Sequence, residues 1–321
     1  RPALAVREPG RAVVLAAAQA GERIVAVGER GVIALSDDRG AHWRQAPSPV
    51  SVTLTMVRFA DAKNGVAVGH GGTVLSSTDG GARWTLRLDG RRAAQMAAAA
   101  ARTADEQREA ERLVADGPDK PFLDVLIWDA QRWLVVGAYG LAFRTDDAGA
   151  TWTPWMARLP NPKALHWYVA RRAGETLLLA GEEGLLARSD DSGASFRPLA
   201  SPYKGSWFAG ELLADGAMLL AGLRGNVWRS ADGGTQWAQI NSPVPASVNA
   251  IAVPADGRPL LATQAGVVLR LQGDQLVPLN AAAPLPMPAA LLAGPDGAVL
   301  SFGIAGALPL ATAAAKPEAT R

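Results

Sequence analysis

The chain has 321 residues, 49% hydrophobic and 19% charged, with 32 basic against 30 acidic side chains for a formal charge of +2. That balance, with Lys/Arg clusters no larger than pairs such as Arg91-Arg92 and Arg171-Arg172, excludes nucleic acid as the expected partner. The 0 cysteines exclude a disulfide framework, zinc-thiolate sites and thiol catalysis, and no apolar run reaches the roughly 18 residues a spanning helix needs, so membrane association is peripheral at most.

In chain order, the sequence opens at Arg1 without a methionine, as a cleaved export signal or a trimmed gene would leave it. Ala3–Val6 follows as a short strand, then the apolar Val13–Leu15 and a first repeat unit. That unit is an apolar strand Ile24–Val27, a Gly28-x-x-Gly31 hairpin, a second strand, and the turn Ser36-x-Asp38-x-Gly40-x-x-Trp43. Glycine tolerates the positive φ that a tight hairpin needs. The hairpin pair recurs at Gly69/Gly72, Gly137/Gly140, Gly181/Gly184 and Gly222/Gly225, each followed by the same turn carrying Asp79, Asp147, Asp191 or Asp232. Two last units keep a hairpin, at Gly266 and Gly303/Gly306, without the turn. Intervals between second glycines are 41, 68, 44, 41, 41 and 40 residues. A period near 40–45 with four strands per unit is the signature of a propeller. The predicted fold is all-β: one seven-bladed β-propeller over 1–312, with Ala3–Val6 supplying the fourth strand of the last blade. A disordered tail is expected at 313–321.

The 68-residue interval carries about 27 extra residues over the period of the other units, between Leu88 and Phe122. Residues 91–116 are strong helix formers, stopped by Gly117-Pro118, which predicts a helical insert between blades 2 and 3. In an up-and-down blade, the outer-to-inner link and the hairpin of strands two and three share one face. The insert therefore joins the hairpin residues Arg30, His70, Tyr139, Glu182, Glu183 and Arg224, and the link residues Arg158, Lys163, His166, Trp167, Tyr203, Lys204 and Trp207. Exposed charged and aromatic loop residues on a rigid scaffold are the expected binding surface. Trp167 and Trp207, which start inner strands, fit a core role equally well.

The aspartates of the turns, Asp38, Asp79, Asp147, Asp191 and Asp232, read as structural: Ser/Thr and Asp bond the turn's own amides and the aromatic packs back between sheets. Carboxylates placed one per blade cannot converge on a substrate or metal. Four residues after the second glycine, blades 3 to 6 carry Arg144, Arg188, Arg229 and Arg270 along the blade flank. These either pair with neighbouring aspartates or form an anion-binding patch. His42, His70 and His166 lack metal-ligand spacing, no nucleotide or nucleophile motif occurs in context, and no cofactor is expected. A sialidase-like glycosidase would need a tyrosine nucleophile beside a glutamate, for which Tyr139 with Glu182 or Glu183 is the candidate set.

The repeated turn is the Asp box, or BNR repeat. The whole unit, from about Val13 to Gly306, resembles the photosystem II stability and assembly factor family, particularly its non-photosynthetic bacterial members. The most specific shared stretch is the insert with Gly117-Pro118-Asp119-Lys120-Pro121-Phe122-Leu123-Asp124-Val125 after it. The resemblance implies an exported, periplasmic, non-catalytic propeller, monomeric by itself. It implies a protein partner, with a role in assembling or coupling a membrane complex such as an RND-type transporter of hydrophobic compounds. It also implies that an arginine-rich patch could hold that partner.

Overall fold

Residues 1–280 and 282–310 are described by a computed structural model, which arranges them as seven consecutive antiparallel sheets. Six sheets have four strands and the last has three, and within each the strands pair in sequence order. The inner strands are Val14–Ala20, Leu54–Phe59, Phe122–Ile127, Trp167–Ala173, Trp207–Leu212, Val248–Ala252 and Pro288–Ala293. Each packs beside the next, and Pro288–Ala293 packs beside Val14–Ala20, so the ring is closed. Second strands such as Trp133–Gly137 and Thr176–Gly181 lie between neighbouring blades and are covered on both faces. They therefore read as continuous apolar runs instead of alternating ones.

The hairpin glycines have two separate causes. Each inner strand carries a bulge at its start, for example between Val14 and Ala16 and between Trp167 and Val169. This presses its backbone onto the partner strand, and a Cβ on Gly28 would overlap the Val13 carbonyl oxygen. In blades 1 to 5 the second glycine completes a turn with positive φ at both central residues, as at Arg30 (53°) and Gly31 (74°), with Val32 N–H donating to Glu29 O at 3.0 Å. That is the type I′ geometry whose twist matches the flanking strands. Tyr139, Glu183 and Arg224 occupy the same left-handed position at φ 55°, 52° and 56°.

The Asp-containing turns repeat one bond set in five blades. In blade 4, Ser189 Oγ donates to Asp191 Oδ1 at 2.7 Å and accepts the Gly193 N–H at 2.8 Å, while Asp191 Oδ1 accepts the Ser195 N–H at 2.9 Å. Blade 1 has the same bonds among Ser36, Asp38, Gly40 and His42, and the Trp43 indole closes onto Gly40 O at 3.0 Å. Hydrogen bonds from the His42 N–H and ring hold the Asp38 carboxyl at about 2, and those from the Ser195 hydroxyl and N–H hold Asp191 at about 2.

Closure differs from the expected strand exchange. Ala3–Val6 is not a strand: Ala3 N–H donates to Ser48 O at 3.1 Å and Val6 N–H to Gln45 Oε1 at 2.8 Å, both in blade 1. The edge of blade 7, Gly306–Pro309, is instead met by a single 3-10 turn, Pro9–Arg11. Pro309 brings no N–H to that edge, and the chain at Gly10-Arg11 lies directly against Gly306, so among the described residues this blade keeps three strands. Side chains join blade 7 to blade 1: Phe302 meets Trp43 edge-on at 6.1 Å, and Arg39 bonds Asp296 at 3.0 Å. The expected tail 313–321 lies outside the described residues.

Between the outer strand Thr85–Leu88 of blade 2 and the inner strand of blade 3 stand two helices, α1 (Gly90–Ala100) and α2 (Ala104–Asp116), in place of one. Asp89 caps α1. Thr103 and Glu106 form a reciprocal capping box on α2, which satisfies its first free amides and breaks the helix at 101–103.

Candidate partner-binding face

The insert sits on the face of the hairpin tips. Gly71 and Gly72 N–H, at the tip of blade 2, donate to Asp119 and Lys120 carbonyls, at 3.3 and 2.8 Å, in the link after α2. Ala93, Ala97 and Ala110 join the core of blades 2 and 3 with Leu88, Phe122 and Leu141; alanine at these positions lets the helices lie close to the sheet. Beyond this contact the helices stand away from the propeller. A cleft of about 500 Å³ opens between them, the Tyr139 hairpin and the link 156–164 between blades 3 and 4. Its walls are apolar (Ala100, Leu113, Leu141, Met156, Leu159 and Pro160), and Glu106, Glu109, Arg112 and Asp116 line its rim.

Lys120 closes one end. Its side chain is 10% exposed, and its ammonium bonds Asp116 Oδ2 at 3.1 Å and lies 5.4 Å from the centre of the Tyr139 ring. That hydrogen bond, more than the added Arg112 charge, lowers the Asp116 carboxyl below its ordinary range. From Tyr139 a line of rings runs toward the channel: His166 at 4.8 Å, Tyr168 at 5.9 Å from His166, and Phe208 at 5.4 Å from Tyr168. Glu182 Oε2 accepts the His166 backbone N–H at 3.1 Å. His166 Nδ1 is 2.9 Å from the same oxygen yet out of line for a hydrogen bond. Burial, with the Glu182 charge second, raises the Tyr168 phenol above its ordinary value.

The sequence-predicted residues divide into three groups. Tyr139 borders the cleft and His70 is exposed on the hairpin that bonds the insert link, while Arg30 and Arg224 are exposed tips on blades 1 and 5. Arg144, Arg188 and Arg229 are held within their own blades. Arg144 Nη2 bonds Asp146 at 2.7 Å and its guanidinium lies 5.1 and 4.9 Å from the Trp128 and Trp155 rings. Arg188 Nε bonds Asp190 at 2.7 Å, and Arg229 bonds Asp215. Arg270 makes no ion pair among the described residues, and its Nε is enclosed without an acceptor. Trp167 and Trp207 are corrected: both are 0% exposed, because each starts an inner strand at its bulge and turns its ring into the blade interior.

One cluster escaped the sequence reading. Asp124, fully buried in blade 3, accepts Arg58 Nε and Nη2 of blade 2 at 3.0 and 3.3 Å, Arg171 Nη1 of blade 4, and the Val125 and Ala170 N–H at 2.8 and 2.9 Å. Arg171 Nε continues to Glu211 of blade 5 at 2.8 Å. Burial alone would raise the Asp124 carboxyl; the Arg58 and Arg171 charges outweigh it and lower it. The available signal was charged residues, Arg58, Asp124, Arg171 with Arg172, and Glu211, in four largely apolar inner strands.

No protein-family model matches this sequence, and no curated protein matches it. Among solved structures, YCF48 bound to D1 peptide is similar at 16% identity and TM-score 0.68, over 95% of this chain and 97% of that one. YCF48 from Cyanidioschyzon merolae is similar at 13% identity and TM-score 0.67, over 94% and 96%. Virginiamycin B lyase from Staphylococcus aureus is similar at 11% identity and TM-score 0.71, over 96% of each chain. A peptide-bound protein and a lyase share the architecture, so the likeness does not choose between binding and catalysis. What it shows is the fold: this chain is a seven-bladed β-propeller.

Proposed function

We propose that this propeller is a non-catalytic binding scaffold, exported to the periplasm, whose hairpin face and insert hold a protein partner in a membrane complex, an RND-type transporter among them. The cleft between α2 and the Tyr139 hairpin carries the reading. It is apolar, about 500 Å³, polar-rimmed and built on rigid elements, as recognition sites are. A solved propeller of this shape is YCF48 bound to D1 peptide, a precedent for a peptide ligand on this architecture. The surroundings of Tyr139 weigh against its serving as a glycosidase nucleophile. Lys120 and His166 flank its ring, Glu183 is tied to Lys163 at 3.1 Å, and no Tyr139 hydroxyl bond to a carboxylate occurs among the described residues.

The test is capture of transporter components from solubilised envelope by the wild-type protein, by Leu113→Glu, which puts a charge in the cleft wall, and by Arg258→Ala, in an exposed turn of blade 6, as a distant control. Capture kept by the control and lost in Leu113→Glu, with unchanged thermal unfolding, is the expected result. Equal capture by all three would remove the cleft from the reading. Hydrolysis of aryl glycosides that disappears in Tyr139→Phe would replace it with the glycosidase.

A further inference from the structure

The second large cavity lies at the other end of the molecule. Inner strands start at the link face, so their last residues surround the channel mouth on the opposite face. There the ends of all seven inner strands enclose about 480 Å³. The lining is divided. Blades 6, 7 and 1 offer a wall including Ile251, Val253, Leu291, Leu292, Ala17 and Ala18; blades 2, 4 and 5 offer Arg58, Arg171, Arg172 and Glu211, beside apolar residues of blades 2 and 3 such as Phe59 and Ile127, with Asp124 behind them.

The hydrogen-bond inventory of the charged wall is lopsided. Both Asp124 oxygens are used by the arginines and backbone amides around them, and Glu211 Oε1 takes the Arg171 Nε. Left without an acceptor among the described residues are Arg58 Nη1, Arg171 Nη2 and the whole guanidinium of Arg172; the free acceptor is Glu211 Oε2. Three guanidiniums against two carboxylates leave a charge of one positive unit. Arg171 is only 14% exposed and is fixed by its partners, so its spare donors are already oriented. Facing them, Val253 is 40% exposed, a large apolar side chain at the rim of a polar mouth.

We propose that this mouth binds a small organic monoanion with an apolar body, a carboxylate on a hydrocarbon or aryl frame. The head would sit on the spare Arg58, Arg171 and Arg172 donors, away from Glu211 Oε2, and the body against the blade 6, 7 and 1 wall. Guanidinium forks match carboxylates in geometry and charge, and a mostly polar cavity of this size with an apolar wall suits a small ligand of that class.

Calorimetric titration of the intact protein with octanoate, octanol and propionate tests the proposal. Octanoate is expected to bind with an affinity roughly tenfold or more above either analogue, because each lacks one of the two recognised parts. Arg172→Glu and Val253→Asp change exposed side chains on opposite walls and leave the Asp124 cluster intact. Each is expected to weaken octanoate about tenfold or more at unchanged thermal unfolding. Equal binding of octanoate and octanol, octanoate binding untouched by both variants, or no binding at all would overturn the site.

Discussion

Replacing Asp124 by alanine removes one carboxylate and strands one guanidinium, that of Arg58. The carboxylate is fully buried and accepts five hydrogen bonds, two from Arg58, one from Arg171, and one each from the Val125 and Ala170 amides. Arg171 keeps Glu211, but Arg58, 30% exposed, keeps no ion partner. Removing one member of a buried ion pair costs about 3–5 kcal/mol, mostly from the charge left behind. In a chain of this size each kcal/mol lowers Tm by about 2 °C, so Asp124→Ala should unfold roughly 6–10 °C earlier by circular dichroism. The pair Arg58→Met and Asp124→Ala supplies the control, since deleting both charges should recover part of the loss if coupling is real. Because the carboxyl is lowered in the fold, its contribution is present above the unfolded value near 4 and is lost as pH falls through the lower folded value. The penalty of Asp124→Ala should therefore be largest at neutral pH and shrink in acid. A loss below 1 kcal/mol, or additive single and double variants, would refute the description of this cluster as a tie across four blades.

Other consequences are measurable by the same unfolding assays. Ser189→Ala removes the acceptor of the buried Gly193 amide and should cost about 1–3 kcal/mol, the desolvation of an unmade hydrogen bond. Arg224→Gly should stabilise by roughly 1 kcal/mol, because a left-handed backbone costs an L-residue about that much, whereas Arg224→Val should destabilise; both are read from urea midpoints. The carboxyls of Asp38 and Asp191 stand at about 2 in the fold, below the unfolded value near 4. Their contribution is complete above that value and lost as pH falls from about 4 toward 2, so the urea midpoint should fall across that window and fall less in Asp191→Asn.

The blades were legible because steric necessity repeats. The inner-strand bulge recurs in all seven units and the type I′ turn in blades 1 to 5, while blades 6 and 7 keep a glycine at the hairpin with a different turn, so the hairpin glycines count blades even where the Asp-containing turn is missing. The insert was legible from the broken interval, and its division into two helices was written in Thr103-x-x-Glu106, a capping box inside one run of helix formers. Trp167 and Trp207 were ambiguous, since a tryptophan at the start of an inner strand has the same sequence surroundings whether it faces solvent or the next blade. The Asp124 cluster was hidden for another reason. Arg58, Asp124, Arg171 and Glu211 lie 40 or more residues apart and meet only when the ring closes.

Ring closure at blade 7 carries a kinetic consequence. In the described residues no strand is shared between the first and last blades, and the seam between them is held by side chains, Phe302 on Trp43, Arg39 on Asp296 and Leu300 over Gly40, and by the Pro9–Arg11 turn against Gly306. The other six junctions are also spanned by the chain, which runs from each blade into the inner strand of the next, and those from blade 2 to blade 5 carry the charged tie as well. Opening of the annulus is therefore expected first at the seam between blades 7 and 1, away from blades 3 and 4 where the cleft lies. The molecule behaves as a clasp whose catch is on the far side from the part it presents.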